Sequence, residues 1–309
     1  MRIARINAIC AGVREFVLVP VDPSVQLSPY VPGSHIAVEA GAVVNTYSLT
    51  DDGYLPDAYR ISVRRQDRGG GSDWLHDHVL PGDQLGISKP RSAFAPVLTA
   101  TSHLLIAAGI GITPILSHLK AARRWNRAFS LVYGVSAERA PHLDEVLALA
   151  GDRVTIAEGR VALTAAATDA LRQQPIGTHA YACGPAGFLD RFIKDATDLG
   201  WPEERLHVEH FDAPGLDPGT PFLAKVAGSD REVAVPAGVS LLEVLENAGI
   251  EVPHLCRRGV CGECRTIVHA GVPDHRDLIQ TGAERERNDT IYPCVSRSLS
   301  PVLELELDA

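Results

Sequence analysis

The sequence predicts three domains in series: an antiparallel β-barrel over 1–98, an α/β domain on a parallel sheet over 99–212, and, after a linker at 213–220, a compact mixed domain over 221–309. Three observations carry this reading. Short strands separated by turn signals fill the first third of the chain. Strands alternate with helices through the middle, as βαβ units do. Four of the six cysteines crowd into residues 256–294.

The barrel strands are expected at Arg2–Ile9, Val13–Pro20, His35–Ala40, Val43–Leu49, Tyr59–Arg65 and Gln84–Ser88. Val31-Pro32-Gly33 and Pro81-Gly82-Asp83 mark turns between them, and many short strands at close spacing make a small barrel. In the middle block, strand Leu104–Ala107 leads into a helix ending near Trp125. Ser130–Tyr133 precedes a helix at Leu143–Leu149, and Val154–Ile156 precedes one starting at Thr164. Ala180–Cys183 precedes Phe188–Leu199, and Leu206–Glu209 closes the series. The run Asp212–Thr220, rich in Pro and Gly, reads as a linker. The last block is expected to hold strands Phe222–Val226, Glu232–Val235, Thr266–His269 and Val302–Leu307, with a helix at Leu241–Ala248.

Composition narrows the function. The 309 residues carry 29 Lys plus Arg against 38 Asp plus Glu, a net charge of −9, which argues against nucleic acid as a partner. No apolar run approaches the ~20 residues that cross a bilayer. The start alternates like a strand and has no signal-peptide core, so the chain is read as cytoplasmic and not membrane-bound. Disulfides are rare in that compartment, and the cysteines need another explanation.

Cys256-Arg257-Arg258-Gly259-Val260-Cys261-Gly262-Glu263-Cys264, with Cys294 after 29 further residues, has the Cys-x4-Cys-x2-Cys…Cys spacing of a plant-type 2Fe–2S site. Two irons need four thiolates, and one tight loop supplies three of them. The cluster is anionic, and Gly259 and Gly262 let the loop curl so that N–H groups point inward. A structural zinc ribbon would offer two Cys-x2-Cys knuckles; this chain has one. Arg257 and Arg258 fit two readings equally, as residues that tune the loop or as a basic spot facing an acidic partner. Cys10, at a strand end, reads as a small apolar residue.

Gly109-Ile110-Gly111-Ile112-Thr113-Pro114 follows a strand and opens a helix. Its glycines permit a tight turn and close backbone approach, Thr113 is suited to cap the helix, and Pro114 suits its first position. The helix N-terminus would then face a pyrophosphate. An ordinary strand–helix turn has the same glycines. Cys183-Gly184-Pro185, at the carboxyl end of another strand, lies where parallel sheets bind ligands, and a small Cys183 there would face a nicotinamide. In the barrel, Thr46-Tyr47-Ser48 ends a strand. Gly69-Gly70-Gly71-Ser72 precedes a short helical stretch at Asp73–Asp77, in the manner of a phosphate cradle. Each barrel signal is weak alone, since Tyr47 also suits a core and glycine loops are common.

Taken with Pro90-Arg91-Ser92-Ala93-Phe94, these motifs resemble, in order and over nearly the whole chain, the phthalate dioxygenase reductase type within the ferredoxin reductase superfamily. The resemblance implies an antiparallel flavin barrel, an α/β parallel-sheet nucleotide domain and a β-grasp plant-type ferredoxin domain. It implies FMN, NADH and a 2Fe–2S cluster as cofactors. Tyr47 and Ser48 match flavin contacts, Gly71 and Ser72 match phosphate contacts, and Phe211, in His207-Val208-Glu209-His210-Phe211, matches an aromatic residue near the flavin. Gly70, Thr46 and Asn45 belong to the same set. The family pattern is Arg-x-Tyr-Ser, so Asn45 replaces a phosphate-binding arginine, for which Arg64, Arg65 or Arg68 would have to substitute.

The implied activity is that of an NADH-dependent reductase component of a multicomponent oxygenase, such as a demethylase, passing single electrons to a Rieske-type or haem oxygenase partner. In that scheme Cys183, Ser48 and Phe211 sit at the hydride-transfer site and Cys256, Cys261, Cys264 and Cys294 hold the cluster. A stand-alone NAD(P)H:acceptor reductase and a non-catalytic electron carrier are the rival readings; the intact Gly109, Gly111 and Cys183-Gly184-Pro185 speak against the second. The chain is expected to be a monomer. No Ser/His/Asp set and no His-x-x-x-His pair points to hydrolysis. Glu138 and Arg139, after strand Ser130–Tyr133, pull in opposite directions on the choice between NADH and NADPH; the resemblance favours NADH.

Overall fold

The computed structural model describes residues 1–41, 43–92, 94–211 and 217–307. Ala93 of the expected motif and most of the expected linker lie outside the described residues. The chain forms two compact units, Met1–Phe211 and Asp212–Ala309.

In the first unit β1 (Arg2–Cys10), β2 (Val13–Val19) and β5 (Tyr59–Arg64) form an antiparallel sheet, and β3 (His35–Ala40) pairs with β4 (Val43–Ser48). Isolated bridges close the circle: Leu49 with Ile61 joins β4 to β5, while Val38 with Ile87, His35 with Arg91 and Arg2 with Gln84 connect β3 to β1. The segment expected as strand Gln84–Ser88 is thus a stave held by single bridges, because a strand near the turn at Pro81-Gly82 cannot follow two curved neighbours at once. Alternate residues fill the interior, among them Phe16, Leu18, Ile36, Val38 and Ile61. Helix α1 (Gly71–His78) lays Leu75 into that core.

The same unit continues with β6 (Ser102–Ala108), α2 (Ile112–Arg124), β7 (Phe129–Val135), α3 (Leu143–Ala150), β8 (Val154–Glu158), α4 (Gly159–Arg172), β9 (Thr178–Cys183), α5 (Ala186–Asp198) and β10 (Leu206–Glu209). The five strands are parallel in the order β10-β9-β6-β7-β8. Central β6 is buried along nearly its whole length, as a parallel strand covered on both faces must be. One face holds Leu105, Ile115, Leu119 and Tyr133, the other Leu104, Ile106, Leu163 and Phe192. Helix α4 starts at Gly159, five residues before the expected Thr164; its first turn, Gly159 to Ala162, is exposed and includes Val161 on the solvent side, so it shows no core-facing periodicity in the sequence. Thr113 does not cap α2: Gly111 holds the cap position without a side-chain bond, and the Thr113 hydroxyl instead donates to the Ile110 carbonyl at 3.1 Å. Pro114 is the third helical residue, not the first.

The second unit holds β11 (Phe222–Val226), β12 (Glu232–Val235), α6 (Leu241–Asn247), β13 (Thr266–Ala270), β14 (Pro273–Asp274), α7 (Gly282–Arg287), β15 (Thr290–Ile291), β16 (Arg297–Ser298) and β17 (Val302–Glu306). The mixed sheet runs β12-β11-β17-β13-β15, with β11 and β17 parallel at its centre. Leu241, Leu242 and Leu245 of α6 cover it, with Ser240 capping the helix through the Glu243 N–H. Sequence reading missed α7, a single polar turn opened by a Thr281/Glu284 capping box.

Candidate functional site

All four cysteines of the expected cluster are buried in the second unit. Their sulfurs form two pairs. Cys264 and Cys294 lie 3.3 Å apart, and Cys256 is hydrogen-bonded to Cys261. Among the described residues no three His, Cys, Asp or Glu side chains converge as ligands of a single ion do. Two pairs of thiolates are what two bridged irons require, so the donors fit a 2Fe–2S cluster. The loop supplies amides as well. The Arg258 N–H lies 3.3 Å from the Cys256 sulfur, and those of Val260 and Cys261 also point at it. The Cys261 bond and these amides pull the Cys256 thiol down despite burial. Gly259 and Gly262 both have positive φ, which lets the loop turn its amides inward. Arg257, also at positive φ, is tied to Glu246 and to His254, so it braces the loop. Arg258 makes no side-chain bond among the described residues.

In the first unit the strand ends bring together what the sequence set far apart. Ala107 pairs with Cys183, so the turns after β6 and β9 meet at the point where the strand order reverses. A Cβ on Gly111 would lie 2.3 Å from the Cys183 carbonyl oxygen, and one on Gly184 2.7 Å from Ala108 Cβ; only glycine allows this approach. Gly109, at φ +56°, faces open space. Cys183 is wholly buried, and burial with the nearby Glu209 pushes its thiol well up. Pro185 caps α5 in extended conformation. Phe211 packs on the core cluster that contains Cys183. A cavity of about 770 Å³ lined by Lys120, Arg124 and the loop Asp51–Asp57 opens beside the carboxyl-terminal half of α2, away from these strand ends.

Glu209 is the site residue that sequence reading passed over. It pairs with Cys183 across β10 and β9, and its Oε2 is buried with no partner among the described residues. Burial pushes its carboxyl up to about 8. The available signal was a lone acid at the end of an otherwise half-buried strand.

In the barrel, Asn45, Thr46, Tyr47 and Ser48 lie along β4, and the start of α1 packs against them. A Cβ on Gly71 would stand 2.6 Å from Asn45 Nδ2, which itself lies 3.4 Å from the Tyr47 hydroxyl. The N–H groups of Gly71 and Ser72 begin the helix with no acceptor among the described residues, and Gly70 is its cap. The preceding turn is not the open cradle expected. The N–H groups of Gln66, Asp67, Arg68 and Gly69 donate to the Asp73 carboxylate at 2.8, 3.0, 2.6 and 2.7 Å. Burial works against that charge, but the four bonds more than reverse it and hold the carboxyl well below its usual range. Arg65 is engaged by Asp67 and Asp77, which leaves Arg64 and Arg68 without ion pairs among the described residues.

The structure also assembles a Ser/His/acid set that the sequence concealed. Ser62 Oγ lies 2.8 Å from His142 Nε2, and His142 Nδ1 lies 3.1 Å from Glu145 Oε2. Lys120 links Glu145 to Asp51, and Asp51 binds Arg60. Ser62 is 5% and His142 8% exposed, so the set serves as a buried polar seam between barrel and parallel sheet.

Residues 87–206 match the family described as dimethylamine monooxygenase subunit DmmA-like, N-terminal domain, and residues 224–298 match the 2Fe-2S iron-sulfur cluster binding domain. The chain is 38% identical, over 98% of its length and 97% of the relative's, to the heme-dependent oxidative N-demethylase beta subunit of Ectopseudomonas mendocina (strain ymp). It is similar to the structure of phthalate dioxygenase reductase, described as a modular structure for electron transfer from pyridine nucleotides to [2Fe-2S], with TM-score 0.71 and 31% identity over 99% of this chain and 97% of that one. It is also similar to an intact type IV self-sufficient cytochrome P450 monooxygenase, with TM-score 0.88 and 29% identity over 99% of this chain; it spans 40% of that polypeptide.

Proposed function

The chain belongs to the oxygenase-reductase family that includes phthalate dioxygenase reductase, and we propose that it takes electrons from NADH through FMN and a 2Fe–2S cluster to a haem-dependent oxygenase component. When bound, these groups supply the redox chemistry: hydride acceptance from NADH and single-electron transfer onward.

The protein's own residues hold and orient. Gly109, Gly111, Thr113, Pro114 and Gly184 shape the turn that receives the dinucleotide. Cys183, with Pro185 behind it, closes the crevice floor beside the nicotinamide. Ser48 and Tyr47 would line the flavin, Phe211 would lie beside it, and Asn45, Thr46, Gly70, Gly71 and Ser72 would form the phosphate end, with Arg64 or Arg68 supplying the missing positive charge. Cys256, Cys261, Cys264 and Cys294 would hold the two irons, with their sulfurs already paired as Cys256–Cys261 and Cys264–Cys294. After β7, Glu138 would repel a 2′-phosphate and Arg139 would attract one; kinship with phthalate dioxygenase reductase favours NADH. The domain limits are taken as 1–98, 99–212 and 221–309, the protein acts as a monomer, and it works in the cytoplasm; no helix among the described residues is long and apolar enough to cross a membrane.

The observation that carries the reading is the two-by-two pairing of the four sulfurs downstream of a dinucleotide-type switch point. Protein purified without oxygen is expected to carry about two irons and two labile sulfides per chain, to release FMN on boiling, and to reduce a haem oxygenase component when given NADH. Zinc without labile sulfide, or FAD in the supernatant, contradicts the cofactor assignment. Rapid NADH oxidation with ferricyanide but no transfer to any oxygenase component supports the stand-alone reductase instead.

A further inference from the structure

The three cysteines of the loop and Cys294 come from segments far apart in sequence, and N–H···S contacts join them in both directions: the Gly259 amide points at the Cys294 sulfur and the Cys294 amide at the Cys264 sulfur. Gly259 is held from its other side, since its carbonyl accepts the Leu278 N–H at 2.9 Å. The turn that carries Leu278 is organised by its neighbour. Asp277 is 1% exposed, and its Oδ2 accepts the N–H groups of Ile279 at 3.1 Å and Gln280 at 2.9 Å. Its Oδ1 faces the hydroxyl of Ser296 at 3.5 Å, two residues beyond Cys294. Ser296 is wholly buried and accepts the Arg276 N–H at 3.0 Å. A Cβ on Gly259 would stand 3.2 Å from Asp277 Cα and 2.6 Å from Val295, so the three segments are in close contact.

We propose that Asp277 is a positioning residue for electron transfer: its carboxylate clamps both the donor segment and the acceptor segment of the Gly259–Cys294 contact and so sets the cluster's reduction potential and retention. The inference rests on the cluster reading above. Hydrogen bonds to the sulfurs and local net charge both tune such potentials, and here they act in opposite directions. The clamped N–H stabilises the more negative reduced state, whereas the carboxylate charge disfavours it.

Two substitutions separate the effects in the full-length holoprotein. Asp277→Asn keeps an oxygen for the Ile279 and Gln280 amides and removes the charge, so the midpoint potential is expected to rise. Asp277→Ala releases the turn, so the potential is expected to fall although a negative charge is lost. Iron release to a chelator is expected to accelerate roughly tenfold or more, the scale of outer-shell deletions at metal sites. Should the alanine variant not fold, Ser296→Ala tests the same clamp with the charge in place and is expected to lower the potential. The measurements are redox titration followed by the cluster's visible and EPR signals, and chelator kinetics. A rise in both Asp277 variants would reduce the role to charge alone, and unchanged potentials would leave a merely structural residue; either overturns the proposal. Absence of any cluster in the unmutated protein would instead contradict the underlying cofactor assignment.

Discussion

The cysteine loop and the glycine loop of the barrel answer one demand, the binding of an anion by backbone N–H groups, in opposite ways. In the cysteine loop the amides of Arg258, Val260 and Cys261 point at a sulfur that the chain supplies covalently. In the barrel the amides of Gln66 to Gly69 point at Asp73, an anion that belongs to the protein. Among the described residues, the amides of Gly70, Gly71 and Ser72 then remain for the proposed flavin phosphate. A ligand written into the chain orders its own loop. A loop that must wait for a ligand is ordered beforehand by a surrogate, and fewer of its amides stay free.

The largest effect that tests this contrast is removal of a covalent ligand. Cys256→Ser, Cys261→Ser, Cys264→Ser or Cys294→Ser is expected to abolish electron delivery to an oxygenase while stopped-flow flavin reduction by NADH continues. Loss of both steps would mean that the cluster unit also supports the flavin unit. Next comes Gly111→Ala, whose methyl would stand 2.3 Å from the Cys183 carbonyl oxygen. NADH-dependent flavin reduction is expected to fall by roughly 100-fold, the scale of a misplacement of about 1 Å at a reacting centre, with the cluster's spectrum unchanged. Retained hydride transfer would show that the two turns separate without consequence.

A pH experiment probes the buried acid beside this contact. Glu209 has its carboxyl raised from 4.5 to about 8 in the folded chain. The folded state therefore holds a proton that the unfolded state loses, and this group's contribution to stability is complete below pH 4.5 and declines as pH rises to about 8. Urea unfolding across that window is expected to show a steeper loss of stability in the unmutated protein than in Glu209→Gln. Parallel curves would mean that the carboxyl is solvated. The smallest effect concerns the glycine loop. Asn45→Arg restores a charge beside Gly71 and is expected to tighten FMN by about 1–2 kcal/mol, the value of a charge-assisted hydrogen bond, measured by fluorescence titration. Unchanged affinity would show that Arg64 or Arg68 already serves the phosphate.

The sequence by itself determined the features that depend on spacing or periodicity. Cysteine spacing named the cluster, because few metal centres use that pattern. Short strands between turn signals, and strands alternating with helices, placed barrel and parallel sheet. The glycine turns marked the nucleotide site, because glycine reaches φ near +56° at no steric cost and only glycine admits a carbonyl oxygen at 2.3 Å. Tertiary structure decided whatever depends on which distant groups meet. The whole of α7 carries little apolar signal, and so short a polar turn forms only where caps support it, here the Thr281/Glu284 capping box. Asp73, Asp277, Glu209 and the Ser62–His142–Glu145 seam are ordinary polar residues in the sequence. Their roles come from burial: in a low-dielectric interior a polar group must find a partner, up to 80 residues away for Ser62 and His142, or, like Glu209, hold its proton.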